Sequence, residues 1–115
     1  MIENGCETFL ADCNVRTGAA LVGHQWDPVV LTGLRLRPTR RSVLIQQLTG
    51  ASDKVVTESL RRLVARGLVA RLSDEAHPGS AVYALTPLGR SFAEGPLIEL
   101  ARWAADHQDE LAGAF

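Results

Sequence analysis

Between Ser52 and Leu85 the chain changes its hydrophobic period once, and abruptly. Val56, Leu60, Leu63 and Val64 recur at the three- and four-residue spacing of a helix with one apolar face. Ser52 stands where an N-cap accepts a free amide, Asp53 falls in the positive first turn, and Gly67 follows as a C′ stop. The spacing predicts a helix over Asp53–Arg66. Directly after it, Leu68–Leu72 and Ala81–Leu85 read as two short strands, joined by the turn-forming stretch Ser73–Ser80, which contains His77-Pro78-Gly79. A helix running without a linker into a hairpin leaves few folds open.

The flanking segments narrow the choice further. From Asp12, an N-cap candidate, Val15, Ala19 and Leu21-Val22 form an apolar stripe that Gly23 stops. A second helix is expected to start with Asp27 capping and Pro28 at the first helical position, to run through Leu34 and Leu36, and to end at Pro38. A third, Arg40–Leu48, turns Val43, Leu44 and Leu48 to one side and breaks at Thr49-Gly50. After the hairpin, Thr86-Pro87 repeats the cap-plus-proline start. Leu88, Phe92, Leu97, Leu100, Ala101 and Trp103-Ala104 then line a helix reaching about Leu111, interrupted at Gly95-Pro96. The expected fold is mainly α with a small β-hairpin: a winged helix-turn-helix. Residues 1–11 show no firm period and are expected to be mobile, and 12–115 form one domain.

Charge follows the same boundaries. Arg35, Arg37, Arg40, Arg41, Lys54, Arg61, Arg62, Arg66 and Arg71 face only Asp53 and Glu58 in their stretch, a net +7, whereas the residues before sum to −3 and those after to −5. Clustered guanidinium groups on a helix-turn-helix are what a phosphate backbone requires, because each neutralised phosphate releases counterions. A winged helix used for protein contact alone is the rival reading, and it has no need of such a charge. The second helix of the motif enters the major groove while its supporting helix and the hairpin tip flank it. The residues expected at double-stranded DNA are Arg40, Arg41, Ser52, Lys54, Thr57, Glu58, Arg61, His77 and Ser80.

Other classes lose ground. No apolar run approaches 18 residues, and the acidic N-terminus lacks the basic start of a signal peptide, so a cytoplasmic protein without membrane contact is expected. Cys6 and Cys13 are too few for a disulfide framework and match no zinc spacing. His24, His77 and His107 form neither a metal-ligand spacing nor a nucleophile motif, and no glycine-rich phosphate loop is present. Neither enzymatic activity nor a cofactor is expected.

Several stretches together resemble the HxlR-type transcriptional regulators, winged-helix proteins of MarR-like architecture. Cys13 precedes the first helix as in many members, and His24-Gln25-Trp26 matches their G-K-W, with Gln25 in place of lysine. Leu48-Thr49-Gly50-Ala51-Ser52-Asp53-Lys54-Val55-Val56 is similar to L-P-G-I-S-x-K-x-L. Leu60-Arg61-Arg62-Leu63 and Gly67-Leu68-Val69 continue the match, and Val82–Gly89 is close to V-E-Y-x-L-T-x-x-G. The chain departs from the pattern at Arg41, where an aromatic residue is common, and at Glu58-Ser59, where Gln-Arg is frequent. Ser59 is thereby expected to forgo a DNA contact, and Glu58 to favour cytosine N4 where glutamine favours adenine.

The resemblance implies a homodimer on a palindromic operator, built from N-terminal and C-terminal dimerisation helices, the latter at about 86–112. Phe92, Leu97, Leu100 and Trp103 are the expected interface, a large apolar load for the terminal helix of so small a domain. Two modes of sensing stay open. One is an oxidant or electrophile switch at Cys13 with Cys6 as a resolving partner. The other is a small ligand near His24, Trp26 and Trp103.

Overall fold

The computed structural model describes residues 14–115. In chain order these form α1 (Arg16–Leu21), α2 (Trp26–Gly33), β1 (Thr39–Arg40), α3 (Arg41–Gln47), α4 (Asp53–Ala65), β2 (Val69–Ser73) and β3 (Ala81–Leu85). Then come α5 (Pro87–Glu94), α6 (Pro96–Asp106) and α7 (Gln108–Leu111). The three strands make an antiparallel sheet in the order β1-β3-β2, with Thr39 opposite Tyr83 and Arg71 opposite Tyr83 on the other side. No helix among the described residues is long and apolar enough to cross a membrane.

The winged helix-turn-helix expected from the sequence is the observed fold, and its punctuation explains why. Ser52 Oγ accepts the Val55 amide at 3.2 Å at the start of α4. At the other end Gly67 adopts φ 78°, and the Leu68 and Gly67 amides return to the carbonyls of Leu63 and Val64, both at 3.0 Å. That pair of bonds closes a Schellman motif and aims the chain straight into β2. Thr86 Oγ1 accepts the Gly89 amide at 3.0 Å and donates to the Gly67 carbonyl at 2.7 Å, so the α5 cap is tied to the α4 stop. The junction is tight enough that a Cβ on Gly89 would stand 1.9 Å from the Leu68 carbonyl oxygen.

The core gathers Val30, Leu31 and Leu34 of the α2 region with Leu44, Val56, Leu60 and Leu63 of α3 and α4. Leu68 and Val69 close it from the wing side, and Ala93 and Leu97 from α5 and α6. Several expectations need correction. The second helix stops at Gly33, leaving Leu36 86% exposed on the connection to β1. Val64 sits at the rim of the α4 apolar face, exposed. The two-residue strand β1, which no sequence period announces, adds a third member to the expected hairpin. The Gly95-Pro96 interruption divides the C-terminal segment into α5 and α6, and a further break at His107 sets off α7. Asp12, like Cys6 and Cys13, lies outside the described residues.

Candidate nucleic-acid interface

The nine basic residues of the +7 segment divide by what they touch. Arg62 and Arg66 turn inward. Asp27, wholly buried, receives Arg62 Nε at 3.0 Å and Nη2 at 2.7 Å, Ser59 Oγ at 2.6 Å, and the more distant Arg66 guanidinium at 3.7 Å. Asp27 therefore does not cap α2, as its place at a helix start had suggested; it joins α2 to α4. Ser59 is buried beneath it rather than on the DNA-facing side, so its departure from the family's arginine is a matter of packing against Asp27.

Arg35 and Arg37 lie on the connection from α2 to β1, and the other five cations lie around the starts of α3 and α4, the exposed side of α4 and the wing. Lys54 and Arg61 on α4, and Arg71 on β2, are exposed and form no ion pair among the described residues. Arg41 bonds Asp53 at 2.8 Å and Thr57 Oγ1 at 3.4 Å, bracing the first turns of α3 and α4. Arg40 donates to Asp74 at 2.7 Å and to His77 Nδ1, which pins the hairpin tip to the base of α3. Ser52 Oγ is an acceptor for its cap bond, so its own proton stays available to a ligand oxygen. Glu58 is half-buried between the inward stripe and the exposed one.

Two clefts open on this side. One, of about 290 Å³, is lined by Arg40, Arg41, Ser42, Arg71 and Ser80 with Tyr83; the other, of about 270 Å³, by Thr57, Arg61, Val64, Arg71 and Tyr83. Arg71 borders both. It contributes to the +7 but is not among the residues expected at DNA from the sequence. Strand alternation puts Arg71 on the same face of β2 as Val69, but burial along the strand falls off after Val69 and Arg71 is exposed.

The residues expected at a dimer interface part company. Leu97 is buried in this chain's own core and Phe92 packs half-buried on it, whereas Leu100 and Trp103 stay 51% and 52% exposed. Trp103 stacks on His107 with ring centroids 4.3 Å apart. An apolar groove of about 470 Å³ between α2 and α6 is lined by Pro28, Val29, Gly33, Leu48, Leu97 and Leu100, among others. His24, Trp26 and Trp103 do not line it.

Three carboxyls are held below their ordinary range. Burial alone would push Asp27 up, and the hydrogen bonds from Arg62 and Ser59 outweigh it. Arg41 lowers Asp53, and Arg40 lowers Asp74. The stability these pairs contribute is present above the unfolded carboxyl value of about 3.9 and is lost as pH falls through the lower folded values. The urea midpoint is accordingly expected to fall steeply as pH drops from about 5 towards 3. Asp27→Asn should be less stable at pH 7 yet show a flatter acid limb; an identical slope for parent and variant would contradict this account.

Comparison with known proteins agrees with this geometry. The family model for HxlR-like helix-turn-helix proteins matches residues 21–112. The chain is 31% identical over 100 residues to YtcD of Bacillus subtilis (strain 168), an HTH-type transcriptional regulator, covering 87% of this chain and 79% of that protein. The solved structure of YtcD superposes with a TM-score of 0.73 over 83% of this chain and 96% of that one, at 32% identity. The reduced form of the redox regulator HypR shares the fold at a TM-score of 0.78 and 22% identity, over 86% of this chain and 97% of its own. Quinone-bound YodB of B. subtilis shares it at 0.67 and 20%, over 81% and 97%. The matched segment takes in every described element from α2 to α7, and with it the helix-turn-helix, the wing and the cationic side: the chain belongs to the HxlR-like helix-turn-helix family of transcriptional regulators.

Proposed function

We propose that the protein regulates transcription in the cytoplasm by binding double-stranded DNA as a homodimer, with α4 in the major groove and the wing against the backbone. One observation carries this reading: of the basic residues of the +7 segment that form no ion pair among the described residues, Lys54, Arg61 and Arg71 lie on the α4–wing side, and Arg35 and Arg37 lie apart on the connection from α2 to β1. Lys54 and Arg61 are assigned to base edges or phosphates, Glu58 to a cytosine amino group, and the Ser52 hydroxyl to a nearby acceptor; the Thr57 hydroxyl, which donates to Asp53 at 3.3 Å, would have to exchange that partner for DNA. Arg40, Arg41, His77 and Ser80 flank the groove, and Arg71 joins them. Exposed Leu100 and Trp103, with the neighbouring apolar groove, give a second copy a surface to cover, and two heads on a two-fold axis suit a palindromic site.

The test is an electrophoretic shift on duplex enriched from a randomised pool, repeated across salt concentrations. Binding that falls steeply with salt supports the DNA reading. Weak binding indifferent to salt would favour the protein-contact alternative.

For regulation, a thiol switch at Cys13, with Cys6 as resolving partner, is preferred over a ligand site. In its favour are the two cysteines that precede α1 in the sequence and a fold shared with proteins described as a redox regulator and as quinone-bound. Cys13→Ser is expected to abolish release of DNA by diamide or a quinone while basal binding persists. A variant that still responds like the parent would move the ligand site, with His24, Trp26 and Trp103 as its candidates, ahead.

A further inference from the structure

Three stripes run along α4. Val56, Leu60 and Leu63 enter the core, Lys54 and Arg61 face outward, and Ser59, Arg62 and Arg66, spaced three and four apart, converge on Asp27. Apolar packing is non-directional and tolerates a small roll of the helix about its axis. A roll of about 10° displaces a side-chain tip about 6 Å from the axis by about 1 Å, enough to spoil a hydrogen bond to a base edge. The Asp27 bridge resists such a roll. Its two oxygens meet the planar Arg62 fork at 2.7 and 3.0 Å, a bidentate geometry that fixes direction as well as distance. Ser59 is small enough to let the carboxylate reach α4, and its hydroxyl adds a third bond at 2.6 Å. Arg66, one turn further, donates to the Ala20 carbonyl at 3.1 Å, so the same stripe also ties α4 to the end of α1.

We infer that Asp27 is a positioning residue for DNA recognition: gripped by Arg62 and Ser59, it sets the roll of α4 so that Lys54, Glu58 and Arg61 meet base edges, without itself approaching DNA. The inference rests on the DNA reading above. Stability alone is a weak reason for a buried ion pair, since well-packed apolar replacements are often as stable. Directional constraint is what such a pair adds here.

The experiment compares two duplexes: one enriched from a randomised pool by the unmodified protein, and a shuffled duplex of equal composition. Arg62→Lys keeps the charge and loses the fork; Asp27→Asn with Arg62→Met removes both charges together. Each is expected to melt as a cooperative fold and to bind the shuffled duplex with parental affinity and salt dependence. Each should lose tenfold or more in the ratio of enriched to shuffled affinity. A folded variant of either kind that keeps the parental ratio within twofold overturns the inference, because a merely structural bridge would leave discrimination intact. If both fail to fold at the assay temperature, the bridge is a folding requirement and the positioning role is likewise overturned. Failure of the unmodified protein to enrich any sequence would instead refute the DNA reading itself, and this inference with it.

Discussion

Replacing Lys54 and Arg61 together by alanine is expected to lower affinity for an enriched duplex by roughly 30- to 20,000-fold, at about 1–3 kcal/mol for each lost contact. Both side chains are exposed and neither forms an ion pair among the described residues. Surface substitutions of this kind change stability by about 0.5 kcal/mol or less, so the melting temperature should stay within a few degrees of the parent's. If both groups meet phosphates, the slope of log affinity against log salt flattens by about 2; a base-edge contact gives a smaller change and relaxed sequence preference. Shift assays at several salt concentrations separate these outcomes. A folded double variant that grips duplex like the parent would remove the basis of the DNA reading.

The largest effect on stability is expected at Gly89. A methyl group there meets the Leu68 carbonyl oxygen at 1.9 Å, and the opposing atom is backbone, held in place by the Thr86 amide at 3.1 Å. Neither side can yield by changing a rotamer. Gly89→Ala is therefore placed at or above the upper end of overpacking costs, about 3 kcal/mol. For a domain of this size that lowers the melting temperature by roughly 12–24 °C. Gly18→Ala is the control: it lies in α1 with no heavy atom within 4 Å of the added carbon, and should be neutral or slightly stabilising. Equal melting curves for the two variants would show that the α4–β2–α5 junction has slack enough to take the added methyl group.

Much of the fold was legible because its signals are local. The period of α4, its Ser52 cap, the Gly67 stop and the Thr86-Pro87 start each depend on residues within one turn of one another, and each is observed. What the sequence concealed depends on distance. Asp27 at a helix start reads as a cap, but its carboxylate is claimed by Ser59 and Arg62, 32 and 35 residues away. Ser59 and Arg62 looked like surface residues of a basic helix for the same reason. Strand β1 is two residues long, too short to show alternation, and exists only because Tyr83 and Val82 offer it a ladder. Leu36 belonged to an apolar run, yet the chain needs its segment to turn from α2 towards β1, and it is left outside. In the candidate interface, charge counting overstated the free charge: Arg62 and Arg66 are turned to Asp27, and Arg40 and Arg41 are already engaged with Asp74 and Asp53.

Asp27 and Pro28 are consecutive residues of α2, yet one belongs to the clamp on α4 and the other to the wall of the apolar groove shared with α6. The rest of α2 divides the same way, with Val30 and Leu31 packed in the core beside α4 residues and Val29 and Gly33 lining the groove. Whatever fills the groove therefore rests on the same helix that Asp27 ties to α4.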